Sequence, residues 1–201
     1  MTIITEGTLQ FDFAPDWDVI KFDDNLFYSK IRGTGVQAMD VLGKNNDIFW
    51  WIEIKDCQGH ESACAFRFDE NTESPELAKA KNFLKKEKLD SITVAIKKPF
   101  IIHEIMKKFR DTLVTLHAAK YTNESSLSNF SLLDNKAIKI KIILLLTLND
   151  IEFKRLAKGL QQKLNTALLP YGLKGFVVNE QNISACGITS CTISRINPPT
   201  K

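Results

Sequence analysis

The chain predicts an α/β fold, a central mixed β-sheet flanked by helices. Three observations lead there. The first third is made of short segments with the two-residue alternation of strands. Two later stretches begin with helix-start chemistry or run as a clear 3.6-residue apolar stripe. Strand-like runs return at 137–148 and 173–179, which gives the order of an α/β layer structure.

Taken in order, residues 8–13 alternate, and 18–22 and 26–31 are expected as further strands with Asp23-Asp24-Asn25 supplying turn chemistry between them. Gly33 and Gly35 mark the turn into the next segment. There Val36, Ala38, Asp40 and Leu42 share one face of a strand over 36–42, and Phe49, Trp51, Glu53 and Lys55 share one face of another over 49–55. The turn-rich Gly43-Lys44-Asn45-Asn46-Asp47 joins them, so 36–57 predicts a β-hairpin. Phe49, Trp50, Trp51, Ile52 and Ile54 surround Glu53 with apolar neighbours on both sides, as in a strand covered on both faces.

A polar loop follows over 60–73, with a short strand expected at 65–68. Ser74-Pro75-Glu76 provides an N-cap, a proline at the first helical position and an acid in the first turn, so a helix should run from there to about residue 88. Lys81, Lys85 and Lys88 share its outer face, while Leu77, Ala80 and Leu84 point inward. Residues 91–96 alternate like a strand or form a bent link before Pro99. Over 100–120 the residues Ile102, Ile105, Met106, Phe109, Leu113 and Leu116 form one helical stripe, with Lys107, Lys108 and Asp111 away from its centre. The Ser- and Asn-rich stretch 121–135 predicts a mobile loop. After the strand at 137–148, Asn149 and Glu152 form a capping-box pattern that opens a helix over 150–169, which Pro170-Tyr171-Gly172 ends. Residues 173–179 and 188–193 complete the strands. With no repeat and no low-complexity segment, residues 1–201 are expected as one domain, a core over about 16–148 with a C-terminal helix–strand extension over 149–197.

At 201 residues, 44% hydrophobic and 25% charged, the chain can bury a substantial core. Its longest apolar run, 142–146, is strand-sized, and MTIITEGTLQF carries neither the basic nor the apolar region of a signal peptide. A cytoplasmic protein without a membrane anchor is therefore expected. Cys57, His60 and Cys64 have zinc-like spacing, but Cys186 and Cys191 do not complete a zinc knuckle, so free apolar thiols are expected. No phosphate-cradling glycine loop, nucleophile elbow, HExxH or dinucleotide fingerprint occurs. The net charge of +3 conceals a polarity: residues 1–29 carry six acids against Lys21 alone, and residues 79–110 carry ten bases against Glu87, Asp90 and Glu104. A basic surface suits a polyanion, because phosphate contacts dominate nucleic-acid affinity.

The hairpin carries the chemistry. It sets Asp40 opposite Glu53 and Lys55, and two facing carboxylates can hold a hard divalent cation with an ammonium alongside. An Asp followed a dozen residues later by Glu-x-Lys on an apolar strand resembles the PD-(D/E)XK nuclease superfamily. The runs AMDVL, WWIEIKDCQG and KKFRDTLVTLHAAK are also similar to a group of bacterial proteins with that core. The motif covers residues 40–55, and a looser likeness runs over about 16–120. Met39 stands where the superfamily name has Pro, at a position that varies widely, and an upstream acidic helix residue is missing.

The resemblance, rather than periodicity, implies a restriction-endonuclease-like core and metal-dependent phosphodiester hydrolysis of nucleic acid, with DNA as the expected polymer. It implies Asp40, Glu53 and Lys55 as catalytic residues, and Asp40, Glu53 and the backbone carbonyl of Ile54 as ligands of Mg²⁺ or Mn²⁺. Lys55 would orient the attacking water or stabilise charge on phosphorus. Lys81, Lys85, Lys88, Lys107 and Lys108 are the expected nucleic-acid contacts. His60 and His103 are read as surface histidines rather than acid–base groups, and Asp23 and Asp24 as turn residues rather than further ligands. The rival from another class is a non-cleaving nuclease-fold scaffold in a larger complex, such as a defence or mobile-element system; a homodimer is also compatible with the chain. Facing carboxylates without a cation should repel, so Asp40→Asn or Glu53→Gln is expected to leave the thermal midpoint unchanged or raise it.

Overall fold

One strand near the middle of the fold buries both of its faces, and the rest of the chain is arranged to cover them. The computed structural model describes residues 1–94, 99–130 and 139–196. In chain order the elements are β1 (Thr2–Glu6), β2 (Leu9–Phe13), β3 (Asp18–Lys21), α1 (Leu26–Ile31), β4 (Val41–Asn45), β5 (Ile48–Asp56), α2 (Glu61–Cys64), α3 (Pro75–Lys86), α4 (Ile101–Tyr121), β6 (Lys139–Thr147), α5 (Asp150–Leu168), β7 (Lys174–Val178) and β8 (Cys191–Arg195). They build a five-stranded mixed sheet in the order β3-β4-β5-β6-β7 and a three-stranded sheet in the order β1-β2-β8. The pairs β3–β4 and β4–β5 are antiparallel, and β5–β6 and β6–β7 are parallel. The mixed α/β layout expected from the sequence is therefore present.

Strand alternation sorts β5 into two layers. Phe49 and Trp51 pack with Ile102, Ile105 and Phe109 of α4, with Trp51 and Phe109 ring centres 5.6 Å apart. Trp50, Ile52 and Ile54 face the small sheet and pack with Phe11, Phe13 and Trp17, with Trp17 and Trp50 only 4.4 Å apart. The double covering expected of this strand is what buries it. The small sheet is also clamped to the end of β5. Arg195 of β8 donates to both carboxylate oxygens of Asp56, at 3.1 and 3.2 Å, and the hydroxyls of Thr8 and Thr147 donate to the same group.

Local chemistry explains where the elements differ from expectation. Residues 26–31 form a helix, not a strand, because the Asn25 side chain accepts the Phe27 N–H at 2.8 Å and caps it. Residues 36–40 are not part of a strand; β4 begins only at Val41. The short strand at 65–68 is a 3-10 turn over Ala65–Arg67. Ser74 caps α3 as expected, but α3 ends at Lys86, and Lys88 lies beyond it with φ 53. Residues 91–94 form no strand, and residues 95–96 lie outside the described residues. Within the expected loop, Ser125–Phe130 is a 3-10 segment that buries Leu127 and Phe130; residues 131–135 lie outside the described residues. The stretch after residue 149, expected as an extension, adds β7 to the main sheet and β8 to the small one, where it pairs with β2. Among the described residues no helix is long and apolar enough to cross a membrane.

Candidate functional site

The hairpin delivers Asp40 to Glu53. Asn46, with φ 53, allows a tight turn, and the register Val41↔Ile52 places Asp40 level with Glu53 at the start of β4. The Asp40 N–H donates to the Ile52 carbonyl at 3.1 Å, and its carbonyl accepts the Phe22 N–H at 2.8 Å. Its side chain is committed as well: Oδ2 accepts the Ile54 N–H at 2.7 Å, so the carboxylate serves as a backbone acceptor for the neighbouring strand. Glu53 follows Phe49 and Trp51 on the face toward α4 and is fully buried.

Helix α4 supplies the other wall. Glu104, Lys108 and Thr112 are spaced i, i+4, i+8 and share one side of it. The Lys108 ammonium bridges the two motif carboxylates, 2.9 Å from Asp40 Oδ1 and 2.7 Å from Glu53 Oε1. Lys55 pairs with the same Glu53 oxygen and reaches Glu104 Oε1 at 3.0 Å, and Arg67 closes on the other Glu104 oxygen. The same helix suspends the segment that leads into Asp40. Thr112 Oγ1 accepts the Met39 N–H and Asp111 Oδ2 accepts the Gln37 N–H, both at 2.9 Å. These bonds replace the strand pairing expected for 36–40.

Three carboxylates thus meet three cations in a partly desolvated row. Burying such charges is costly unless each is paired, and here each is. Burial pushes the Glu53 carboxyl up to about 7, with the Asp40 charge adding to the effect and Lys55 and Lys108 pulling back. For Lys55 and Lys108 burial acts to lower the pKa, but the adjacent carboxylates outweigh it and hold both ammoniums above their ordinary value. For Glu104 burial acts upward and is outweighed by Lys55 and Arg67, so its carboxyl lies below the usual range. The picture of two facing carboxylates in mutual repulsion is corrected accordingly: an ammonium sits between them. One oxygen, Glu53 Oε2, is buried with no hydrogen-bond partner among the described residues.

Of the two turn acids, Asp24 pairs with Lys21 at 3.0 Å and is well exposed. Asp23 differs. Burial raises its carboxyl to about 6, with the charges of Asp40 and Glu6 contributing, and its Oδ1 is buried without a hydrogen-bond partner among the described residues. It is an acid near the site, ahead of Asp40 in the chain, but it precedes α1 rather than lying on a helix.

Asp40, Glu53 and Lys55 therefore converge, and Lys108 joins them rather than standing on an outer basic face. Lys107 is tied to Asp111 at 2.6 Å and to the Gly35 carbonyl at 3.0 Å. The lysines of α3 and the residue just after it are not in this row: Lys81 pairs with Glu73, and Lys85 and Lys88 are exposed. His60 is exposed, and His103 is exposed and 3.4 Å from Glu70. The cysteines are free thiols, and burial with help from Cys64 pushes the Cys57 thiol up to about 12. A cavity of about 790 Å³ between α3 and the start of α4 is floored by Phe66, Leu77 and Phe100, but Asp69, Glu70, Glu73 and Glu76 rim it. That rim opposes a polyanion. Among the described residues no group of three or more His, Cys, Asp or Glu side chains is arranged to hold a metal ion.

Sequence reasoning missed the roles of Arg67 and Glu104 and the bridging position of Lys108. A signal was present for the last. Lys108 lies seven residues after Ile101 and three after Ile105, with Thr112 four further on, so it belongs to a helical stripe. The buried face of α4 is turned toward that stripe: Thr112 is 0% exposed and Leu113 is 37% exposed. Comparison of the chain with protein-family models, with curated proteins and with solved structures gave no match.

Proposed function

We propose that this protein is a metal-dependent phosphodiester hydrolase of the PD-(D/E)XK type acting on nucleic acid, with DNA the first substrate to test. The observation that carries the reading is the cation-sized position between Asp40 Oδ1 and Glu53 Oε1, which the Lys108 ammonium fills at 2.9 and 2.7 Å. The donor set suits a hard ion: two carboxylates, one with a buried oxygen that has no hydrogen-bond partner among the described residues, beside a strand backbone. Asp40, Glu53 and the Ile54 carbonyl would hold Mg²⁺ or Mn²⁺, which supplies Lewis acidity and an acidified water. Lys55 stands next to Glu53 and would donate to the attacking water or to charge growing on the phosphoryl oxygens. Glu104 fixes Lys55, and Arg67 fixes Glu104, so the ammonium is held before substrate arrives. The mixed sheet, with Glu53 and Lys55 on β5, Asp40 just ahead of the antiparallel β4 and helices over the motif face, is compatible with a restriction-endonuclease-like core.

A second reading has its own support. The ion row is already charge-matched and Asp40 already serves the backbone, as in a non-cleaving scaffold that keeps the fold. One experiment separates them. Supercoiled plasmid incubated with Mg²⁺ or Mn²⁺ should be nicked by the wild type, not by Lys55→Ala, and not in EDTA. Equal nicking by wild type and Lys55→Ala, or none by either with divalent binding absent, favours the scaffold.

A further inference from the structure

We propose that Lys108 is a displaceable lock on the Asp40–Glu53 site, and that a phosphodiester takes its ammonium when a divalent ion takes its place. The inference rests on the metal-site reading above and adds how that site is regulated. Lys108 and a divalent ion need the same two oxygens, so they cannot be bound together. The two lysines of the row differ in what they keep after such an exchange. Lys55 retains Glu104 at 3.0 Å. The carboxylates paired with Lys108 among the described residues are Asp40 and Glu53, the two that the ion would claim. An ammonium left half-buried with no direct carboxylate partner, only the charge of Glu104 that Lys55 and Arg67 already pair, is costly. The Lys108 side chain is 15% exposed against 0% for Glu53, so it reaches solvent from which a phosphate can arrive. A phosphate oxygen is a strong acceptor for it.

The consequence is reciprocal coupling. The ion binds weakly alone because it must displace an internal cation, and binds better when a phosphodiester receives that cation. By linkage the ion strengthens phosphodiester binding by the same factor.

The test is Mn²⁺ titration, by electron paramagnetic resonance and calorimetry, of wild type, Lys108→Met, Lys108→Gln and Glu53→Gln, with and without a phosphorothioate DNA duplex that resists cleavage. Without duplex, Lys108→Met and Lys108→Gln should bind Mn²⁺ about tenfold or more tightly than wild type. The factor by which duplex tightens Mn²⁺ binding should be large in wild type and shrink by about the same amount in both variants. Lys108→Gln retains a neutral donor and covers the case in which Lys108→Met does not fold. Unchanged or weaker Mn²⁺ binding in the Lys108 variants, with binding still lost in Glu53→Gln, overturns the lock and leaves the metal site standing. Coupling as large in the variants as in wild type also overturns it, because the phosphate then acts by ligating the ion directly. No Mn²⁺ binding by any of the proteins overturns the metal site, and the lock with it.

Discussion

Replacing Asp40 by Asn sets the two sides of the ion row against each other. Its carbonyl can still accept the Ile54 N–H, now 2.7 Å from Oδ2, which turns the amide NH₂ toward the Lys108 ammonium, 2.9 Å from Oδ1. Two donors then face each other. At an effective dielectric of about 20, a charge pair at that separation is worth roughly 6 kcal/mol, and two carboxylates held apart by one ammonium repel by roughly 3–4 kcal/mol. Attraction wins by about 2 kcal/mol, close to the loss of one hydrogen bond to a charged group. For a chain of this size that lowers the thermal midpoint by roughly 4–8 °C. Calorimetric or circular-dichroism melts of wild type and Asp40→Asn at neutral pH without divalent ions measure it. A variant that melts at or above the wild type refutes the reasoning, since carboxylate repulsion would then dominate and Lys108 would not be bridging.

Two further predictions concern pH. Glu53, raised to about 7 by burial and by Asp40, must lose its proton to ligate an ion, so Mn²⁺ affinity should climb through that region and flatten above it; a flat profile from pH 5.5 to 8.5 counts against Glu53 as a ligand. For Asp56, burial acts upward but the bonds from Arg195, Thr147 and Thr8 prevail, holding the carboxyl at about 2 against an ordinary 3.8. A depressed folded pKa contributes stability that is complete above the ordinary value and is lost as pH falls toward the folded one. Urea midpoints should therefore drop between about pH 4 and 2 in wild type and less steeply in Asp56→Asn.

Local periodicity was enough to place Glu53 and Lys55 on one face of a buried strand, because every second residue of 49–55 shares that face whatever the sheet does next. Caps told as much for α3 and α5, where Ser74 and Asn149 accept the backbone N–H groups expected of them. The short segment 26–31 misled because Leu, Phe, Tyr and Ile in six residues suit a strand as well as a helix, and only the Asn25 cap decides. Arg67 and Glu104 were beyond reach for another reason. Their meaning depends on which side of α4 and which turn after β5 come to lie over Glu53, and that is set by packing between segments some fifty residues apart. The apolar stripe of α4 gave its helix and set Lys108 away from the centre of the stripe, but could not say that its ammonium meets Asp40 and Glu53.

The pairing of β2 with β8 makes the two ends of the described chain neighbours, with Leu9 opposite Arg195. During synthesis the hairpin, the helices and the parallel strands are all made before β8 exists. Until it arrives, β2 has a free edge and the Trp50, Ile52, Ile54 side of the main sheet lacks part of its cover. The β2–β8 pairing is thus the latch that closes this edge and completes that cover. A lesion near residue 9 and one near residue 195 then strike the same seam, although nearly two hundred residues of sequence separate them.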